Sequence, residues 1–151
     1  MSVRYENLRA WRTGMRIARR TYRLTAGFPE NERSGLTATI RKCAVSMPAE
    51  LADAAGSGDP NTYAAALDKV SSAARELRTY IVLARRLRYL RWGQGAPLRR
   101  YLRRYGRQLA SEAAALRRAL AQIETHQAST SEPTAPAPPV FRFRGLSRAA
   151  A

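Results

Sequence analysis

Apolar residues recur at three- and four-residue steps through four separate segments of this 151-residue chain. That spacing places them on one side of an α-helix, whereas a half-buried strand alternates apolar and polar residues. It predicts helices over about 7–25, 34–55, 60–90 and 97–124. No segment carries a strand pattern, so we expect an all-α fold, an up-down-up-down four-helix bundle with short connections.

Glycine and proline residues mark where these helices end. Gly27-Phe28-Pro29 breaks the first helix, residues 56–61 form a loop with capping residues, and Gly93-Gln94-Gly95 ends the third helix. Pro48 lies inside the second predicted helix, where it has no amide hydrogen to donate. We therefore expect it to kink that helix or to split it near Ser46.

The first predicted helix carries more than one apolar face. Its main stripe, which we expect to face the core, consists of Leu8, Trp11, Met15, Ala18 and Tyr22. A further face holds small or apolar residues that a monomer does not need, namely Ala10, Gly14, Ile17, Thr21 and Leu24. We expect Gly14, Ile17 and Leu24 to form a second packing surface, which would be an interface between copies of the chain.

The composition changes after Thr125, which divides the chain into a bundle domain, 1–125, and a tail, 126–151. Residues 128–139 are rich in Ser, Thr, Pro and Ala, a composition that predicts a disordered or extended linker. The linker leads to the apolar and basic string Val140-Phe141-Arg142-Phe143-Arg144-Gly145-Leu146. Two interpretations stay open, an ordinary mobile terminus or a tethered docking motif.

The net charge is +16, and its most uneven part is a run without acids. From Leu77 to Ser111 the chain has 35 residues with ten arginines and neither Asp nor Glu, interleaved with Tyr80, Tyr89, Trp92, Tyr101 and Tyr105. A chain that only needed solubility would mix both signs, because like charges repel across a folded surface. Clustered arginines with stackable rings suit phosphates and bases together, so the predicted partner is nucleic acid, either RNA or DNA.

The predicted topology brings these arginines to one end of the bundle, which we call the pole. The end of the first helix, the end of the third and the start of the fourth all meet there. The predicted nucleic-acid-binding residues are Arg16, Arg19, Arg20, Arg23, Arg85, Arg86, Arg88, Arg91, Trp92, Arg99, Arg100, Tyr101, Arg103, Arg104 and Arg107. Arg99 and Arg100 are the most informative, because the dipole at a helix start disfavours cations by roughly 0.3–1 kcal/mol each. Cations at the end of the third helix favour its dipole, so a structural role is equally open there.

Patterns for catalysis and metal binding are missing from the sequence. It has one histidine, His126, and one cysteine, Cys43, which lies on an apolar stripe. No metal-ligand spacing, phosphate-cradling glycine loop or nucleophile elbow is visible, so we expect no enzyme activity, cofactor or metal site. A single cysteine excludes an intrachain disulfide and indicates a reducing compartment. Without an apolar run of about 18 residues or a secretory signal, we expect no membrane span and a cytoplasmic location.

Three segments carry a resemblance to a known family. They are Leu8–Trp11, Tyr22–Leu36 with its Phe28-Pro29 pair, and Ile40–Ala49 with its Ala-Val-Ser-Met-Pro-Ala string. They resemble the bacterial four-helix-bundle proteins encoded in 23S ribosomal RNA intervening sequences, and the similarity extends over about residues 5–120. That family includes or lies close to the accessory variability determinant of diversity-generating retroelements. The resemblance implies a homopentameric ring that binds nucleic acid and a reverse transcriptase through basic surfaces.

The chain departs from the family pattern at three places. Residues 50–54 read Glu-Leu-Ala-Asp-Ala where the family usually has Asn-Ile-Ala-Glu-Gly. Thr39 replaces a glutamine, and Ser72-Ala73 replaces a Gly-Ser pair. We expect the fold to survive these changes, while any ligand or partner contact through the family's Asn or Gly would be lost.

The leading hypothesis is a non-enzymatic, oligomeric, nucleic-acid-binding accessory protein, with a reverse transcriptase as a possible partner. The alternative is a protein-interaction scaffold whose basic face docks an acidic protein and whose tail binds a second protein. The salt dependence of nucleic-acid binding distinguishes the two hypotheses, because affinity through phosphate contacts falls steeply as the salt concentration rises.

Overall fold

The structure, a computed structural model, describes residues 4–130. Four α-helices follow one another, α1 Arg9–Thr25, α2 Leu36–Ser57, α3 Pro60–Arg86 and α4 Ala96–Thr130. Two short 3-10 turns, Tyr5–Asn7 and Glu30–Glu32, precede α1 and α2. The described residues contain no strand, which confirms the all-α prediction.

The helices pack in sequence order. Each helix contacts the next, and α1 closes the bundle against α4. Within residues 4–130, no Cα atom of α1 lies within 8 Å of one in α3, and the same holds for α2 and α4, as expected for diagonal partners in a four-helix bundle. The α1–α4 seam is the most sparsely packed of the four, which leaves a groove between these two helices.

The core is built from the apolar faces that the periodicity predicts for α2, α3 and α4. Its largest buried side chains include Ile40, Met47, Leu51, Leu67, Val70, Leu77, Ile81, Leu102, Tyr105 and Leu109. Burial of one such side chain contributes about 1.5–3 kcal/mol. Cys43 is half-buried against this core, and burial raises the pKa of its thiol to about 11, so the thiol stays protonated at neutral pH.

The sequence prediction for the core face of α1 holds only in part. Ala18 of the predicted stripe is 8% exposed and Trp11 packs against the core. Ile17 is 0% exposed and Gly14 is also buried, whereas Met15 and Tyr22 of the predicted core stripe are 46% and 47% exposed. Leu24 is half-buried and packs against the core. The prediction that Gly14 and Ile17 lie in an interface between copies is therefore wrong, because their own chain already covers them. For Leu24, which lines a surface pocket, it stays a prediction.

Gly14 explains why this face of α1 points inward. A Cβ atom at this position would lie 3.2 Å from the Tyr105 hydroxyl oxygen and 3.4 Å from Pro48. The absent side chain thus lets α1 approach both α2 and α4 closely. Because α1 and α4 lie close together here, the Tyr105 hydroxyl donates a 2.9 Å hydrogen bond to the Ala10 carbonyl oxygen.

Pro48 does not split α2, which runs unbroken from Leu36 to Ser57. The alternative of a break near Ser46 is therefore wrong. Pro48 is buried and lies against the Gly14 position of α1, so packing across the proline holds the two halves of the helix together.

The ends of α3 and α4 also differ from the prediction. α3 ends at Arg86 instead of about residue 90, and α4 continues to Thr130, past the predicted domain boundary at residue 125. Between Ala113 and Gln127 no further residue is buried, so the distal part of α4 extends beyond the packed core. The predicted docking string, 140–146, lies outside the described residues.

Candidate nucleic-acid interface

A groove runs along the seam between α1 and α4 and ends at the pole. Three adjoining pockets of about 200, 160 and 720 Å³ make up its length. Successive pockets are neighbours, because the first and second share Tyr101 and Arg104, and the second and third share Arg20 and Pro97. The arginines that line it, the groove arginines, are Arg9, Arg16, Arg20, Arg23, Arg91, Arg100 and Arg104.

Helical spacing on two antiparallel helices produces this arrangement. On α1 the arginines stand at 9, 16, 20 and 23, steps of seven, four and three that keep them on one side. On α4, Arg100, Arg104 and Gln108 follow at four-residue steps. From Arg9 to Arg23 the groove extends along roughly 21 Å of helix axis, at about 1.5 Å per residue.

Within residues 4–130, the groove arginines form no ion pair. The ion pairs within residues 4–130 lie elsewhere, between Arg33 and Glu30 at 2.9 Å, Lys69 and Glu50 at 2.6 Å, and Arg117 and Asp68 at 2.5 Å. None of the three pockets is lined by Asp or Glu. The cations therefore repel one another until an anion occupies the groove.

The Glu112 carboxyl interacts electrostatically with Arg9 at the end of the groove that is far from the pole. Partial desolvation raises the pKa of the Glu112 carboxyl, and the Arg9 guanidinium opposes this shift. A carboxylate at this position would repel a phosphate. The sequence segment without acids ends at Ser111, one residue before Glu112. The groove lined by arginines ends in the same part of α4.

Tyr101 gives the groove an aromatic wall. The Arg20 guanidinium carbon lies 4.8 Å from the centre of the Tyr101 ring, within the range of a cation–π contact. This contact holds Arg20 in place across the seam. Tyr105, by contrast, is 2% exposed, so its ring belongs to the core.

A second basic pocket, of about 350 Å³, lies beside the start of α4. It is lined by Arg85, Trp92, Arg99 and Arg100. Trp92 is 90% exposed, although an indole ring normally gains stability from burial. An exposed indole among arginines is suited to stacking on a nucleic-acid base.

The family comparison covers the whole groove. A family model described as 23S rRNA-intervening sequence protein matches residues 6–111. The chain belongs to this family. A comparison with curated proteins found no match.

The resemblance to the 23S rRNA-intervening sequence proteins, predicted from three short segments, is thereby confirmed. The match begins before Arg9 and ends at Ser111, so it includes all groove arginines and the second basic pocket. It leaves out the distal part of α4.

The structure separates the predicted site residues into three groups. Arg16, Arg20, Arg23, Arg91, Arg100, Tyr101 and Arg104 line the groove, and Arg85, Trp92, Arg99 and again Arg100 line the second pocket. The remaining five are exposed and line neither, namely Arg19, Arg86, Arg88, Arg103 and Arg107. Nucleic-acid contact through these five stays a prediction, because an exposed arginine can contact a phosphate without lining a pocket.

Some groove residues were missed by sequence reasoning. Arg9 stands seven residues before Arg16, so its helical spacing could have identified it. Tyr89 and Gln94 come from the irregular loop between α3 and α4, where no periodicity indicates the direction of a side chain. Only the folded loop brings them to the groove.

Two loops at the pole are joined through Tyr89. Its hydroxyl donates a 2.9 Å hydrogen bond to Glu32, and its ring packs on Phe28 with 5.7 Å between ring centres. The second Glu32 oxygen accepts the Leu36 amide at 2.9 Å and so caps α2. Both hydrogen bonds hold the pKa of the Glu32 carboxyl below its usual range. The bond from the Leu36 amide has the larger effect and the bond from the Tyr89 hydroxyl the smaller one.

Arg88 occupies a backbone conformation that favours glycine. Its φ is 62°, in the left-handed region that terminates many helices. The Tyr89 amide bonds the Ala84 carbonyl and the Arg88 amide bonds the Arg85 carbonyl, both at 3.0 Å, which is the pattern of a Schellman cap.

Replacing Arg88 with glycine should therefore stabilise the protein. We expect Arg88→Gly to raise the free energy of unfolding by about 1 kcal/mol, because glycine adopts this φ without steric cost. The matched control is Arg86→Gly, which removes the same charge two residues earlier inside α3 and should cost about 0.5–1 kcal/mol. Urea unfolding followed by circular dichroism measures both, and a less stable Arg88→Gly variant would contradict the cap geometry.

Proposed function

We propose that this protein binds nucleic acid, without catalysing a reaction on it, by holding a strand in the α1–α4 groove. The observation that carries the proposal is a row of three adjoining pockets that seven arginines line and that, among the described residues, no Asp or Glu lines. Phosphates would relieve the repulsion among these cations, and the Tyr101 ring offers a base a surface to stack on. RNA is the first ligand to test, because the family description names a ribosomal RNA.

The length of the groove sets how many nucleotides it could hold. Its length of roughly 21 Å corresponds to about six nucleotides at a rise of 3.4 Å per strand. The groove arginines come from both walls, Arg16 from α1 and Arg104 from α4, so they would contact one backbone from two sides. Arginine can also bind a phosphate through two parallel hydrogen bonds.

The chemistry of the groove supports a binding role. It offers guanidinium groups, side-chain amides and aromatic rings, which recognise anions and bases.

Within residues 4–130, no group of three or more His, Cys, Asp or Glu side chains is placed to hold a metal ion. The four helices of this region also lack the combination of length and apolarity that a bilayer span needs.

The proposed cellular location and protein partner rest on the sequence resemblance. We place this protein in the cytoplasm as an accessory to a reverse transcriptase, as the likeness to retroelement proteins implies. Co-purification of the tagged chain with a reverse transcriptase encoded beside it would test this partnership.

We infer that copies of the chain associate through the outer side of α1 and α2, in the homopentamer that the resemblance implies. Met15, Tyr22 and Val45 are 46%, 47% and 45% exposed. Arg41 lies over the Tyr22 ring at 4.7 Å, and Val45 follows Arg41 by one helical turn. Antiparallel packing thus brings Val45 to the same side as Met15, and together they form an apolar surface that a second copy could cover.

The salt dependence of binding tests the proposed function. If the seven groove arginines contact phosphates, the slope of log affinity against log salt should be about −5 for a single strand. Affinity for a fluorescent single-stranded RNA should fall by about a thousandfold between 50 and 200 mM salt. Replacing Arg16, Arg20 and Arg104 with glutamine should weaken binding by on the order of a hundredfold and reduce the slope by about 2.

A control variant with the same loss of charge separates groove contacts from overall charge. Lys42, Arg75 and Arg118 are exposed cations outside the groove. Their triple replacement with glutamine should leave the slope almost unchanged. Equal effects of the two triple variants would contradict a groove site, and a flat salt response of the wild type would contradict phosphate binding altogether.

A further inference from the structure

The groove ends in a pocket that differs from the rest of its length. This pole pocket, of about 720 Å³, lies between the end of α1 and the loop that precedes α4. Its cations are Arg20, Arg23 and Arg91, and its apolar wall includes Leu24 and Leu98. Pockets of 300–1,000 Å³ are typical of small-molecule ligands, so this one is large enough for a nucleotide.

A bridge between two loops lies beside the pocket at the pole. Gly27, which follows α1, lies at one edge of the pocket, and Tyr89 lies at the other. The contact of Tyr89 with Phe28 and its hydrogen bond to Glu32 connect these edges. We expect this bridge to limit how far a strand continues past the pocket, so the pocket is suited to the end of a strand.

The polar groups of the pole pocket are hydrogen-bond donors. The Gln94 side-chain oxygen already accepts the Arg91 amide at 2.8 Å, which leaves the Gln94 NH₂ group to donate. The Tyr89 hydroxyl already donates to Glu32, so Tyr89 contributes its ring. Guanidinium groups have no acceptor, and no carboxylate lines the pocket.

Such a lining selects a ligand with many acceptors, negative charge and an apolar part. A terminal phosphate monoester carries more negative charge at neutral pH than the phosphodiester inside a strand. Its nucleoside would lie against Leu24, Pro97 and Leu98, while the phosphate contacts the three arginines and the Gln94 amide. Arg20 is held in place by its contact with Tyr101, so one of the phosphate-binding groups is already positioned.

We propose that the pole pocket binds the phosphorylated terminal nucleotide of a single strand whose remainder lies in the α1–α4 groove. This inference rests on the proposed function, because it assigns the end of the same strand. Either a 5′- or a 3′-phosphate has the required chemistry, and the experiment distinguishes them.

The test compares three versions of one short single-stranded RNA by fluorescence anisotropy. One carries hydroxyl groups at both ends, one a 5′-phosphate and one a 3′-phosphate. We expect one phosphorylated RNA to bind about tenfold more tightly than the hydroxyl RNA, through additional charge-assisted hydrogen bonds. Three equal affinities would overturn the pole-pocket assignment while leaving the groove proposal intact, and no binding of any RNA would overturn both.

Variants assign the preference to the pocket. Arg91→Gln and Gln94→Ala should each reduce the preference for the phosphorylated end to about twofold or less, with smaller effects on the hydroxyl RNA. Both residues are exposed in a loop, and circular dichroism checks that the helices persist. Arg118→Gln, an exposed arginine on the distal part of α4, is the matched control and should keep the full preference. A preference that survives both pocket variants would overturn the assignment.

Discussion

We expect Ile17→Asp to unfold the chain and Met15→Asp to leave it folded, although the two residues lie on the same helix. Ile17 is 0% exposed in the core, whereas Met15 is 46% exposed. An aspartate at position 17 would be buried without a partner and would also lose the packing of the isoleucine side chain. The combined cost is about 5 kcal/mol or more, comparable to the 5–15 kcal/mol stability of a typical domain.

Circular dichroism during urea unfolding measures this pair of variants, and light scattering measures their mass. Met15→Asp should keep a wild-type midpoint within the range of a surface change, about 0.5 kcal/mol. It should also reduce the oligomer mass, because the charge falls on the apolar surface that we assign to association. Similar stabilities for the two variants would show that α1 presents a different face to the core.

Tyr105→Ala should be the second most destabilising change, at about 3–5 kcal/mol. The Tyr105 ring is 2% exposed and fills the space that Gly14 leaves between α1 and α4. Tyr105→Phe keeps the ring and removes only the hydrogen bond to the Ala10 carbonyl, so it should cost about 1 kcal/mol. The difference between the two variants separates packing from hydrogen bonding at this seam.

Tyr105 also lowers the stability of the protein at alkaline pH. Burial raises the pKa of the Tyr105 hydroxyl above its ordinary value of 10.0. Above about pH 10 the unfolded chain loses this proton while the folded chain retains it, so stability falls as pH rises. Tyr105→Phe removes this contribution, and its urea midpoint should therefore decrease less than that of the wild type between pH 8 and 10.5. An equal decrease in both proteins would contradict the burial of the hydroxyl.

Much of the fold could be predicted from the sequence, because helix formation in this chain depends on local spacing. The apolar faces of α2, α3 and the first part of α4 follow from three- and four-residue steps, and their buried residues agree. The positions predicted for the helix ends were less accurate. Arg88 terminates α3 in a conformation usually taken by glycine, a choice imposed by the Tyr89 contacts with Phe28 and Glu32.

The basic character of the site was predictable, but its shape was not. Charge counts identify an acid-free run and place its arginines near one pole. They do not show that Arg104 faces the seam with α1 while Arg103 and Arg107 face solvent, because that depends on how α4 is rotated in the bundle. The pole pocket needed the α3–α4 loop as well, which supplies Arg91 and Gln94.

Four amphipathic helices, their order and the excess of arginine follow from residue spacing and charge alone. Which side of α1 is buried depends on packing against the other helices. Met15 and Tyr22 of the predicted stripe are exposed, whereas Ala18 of that stripe and the face with Gly14 and Ile17 lie in the core. The physical reason is close packing: a missing side chain at Gly14 lets α1 contact Pro48 and Tyr105, and this rotation also turns the arginines of α1 toward α4.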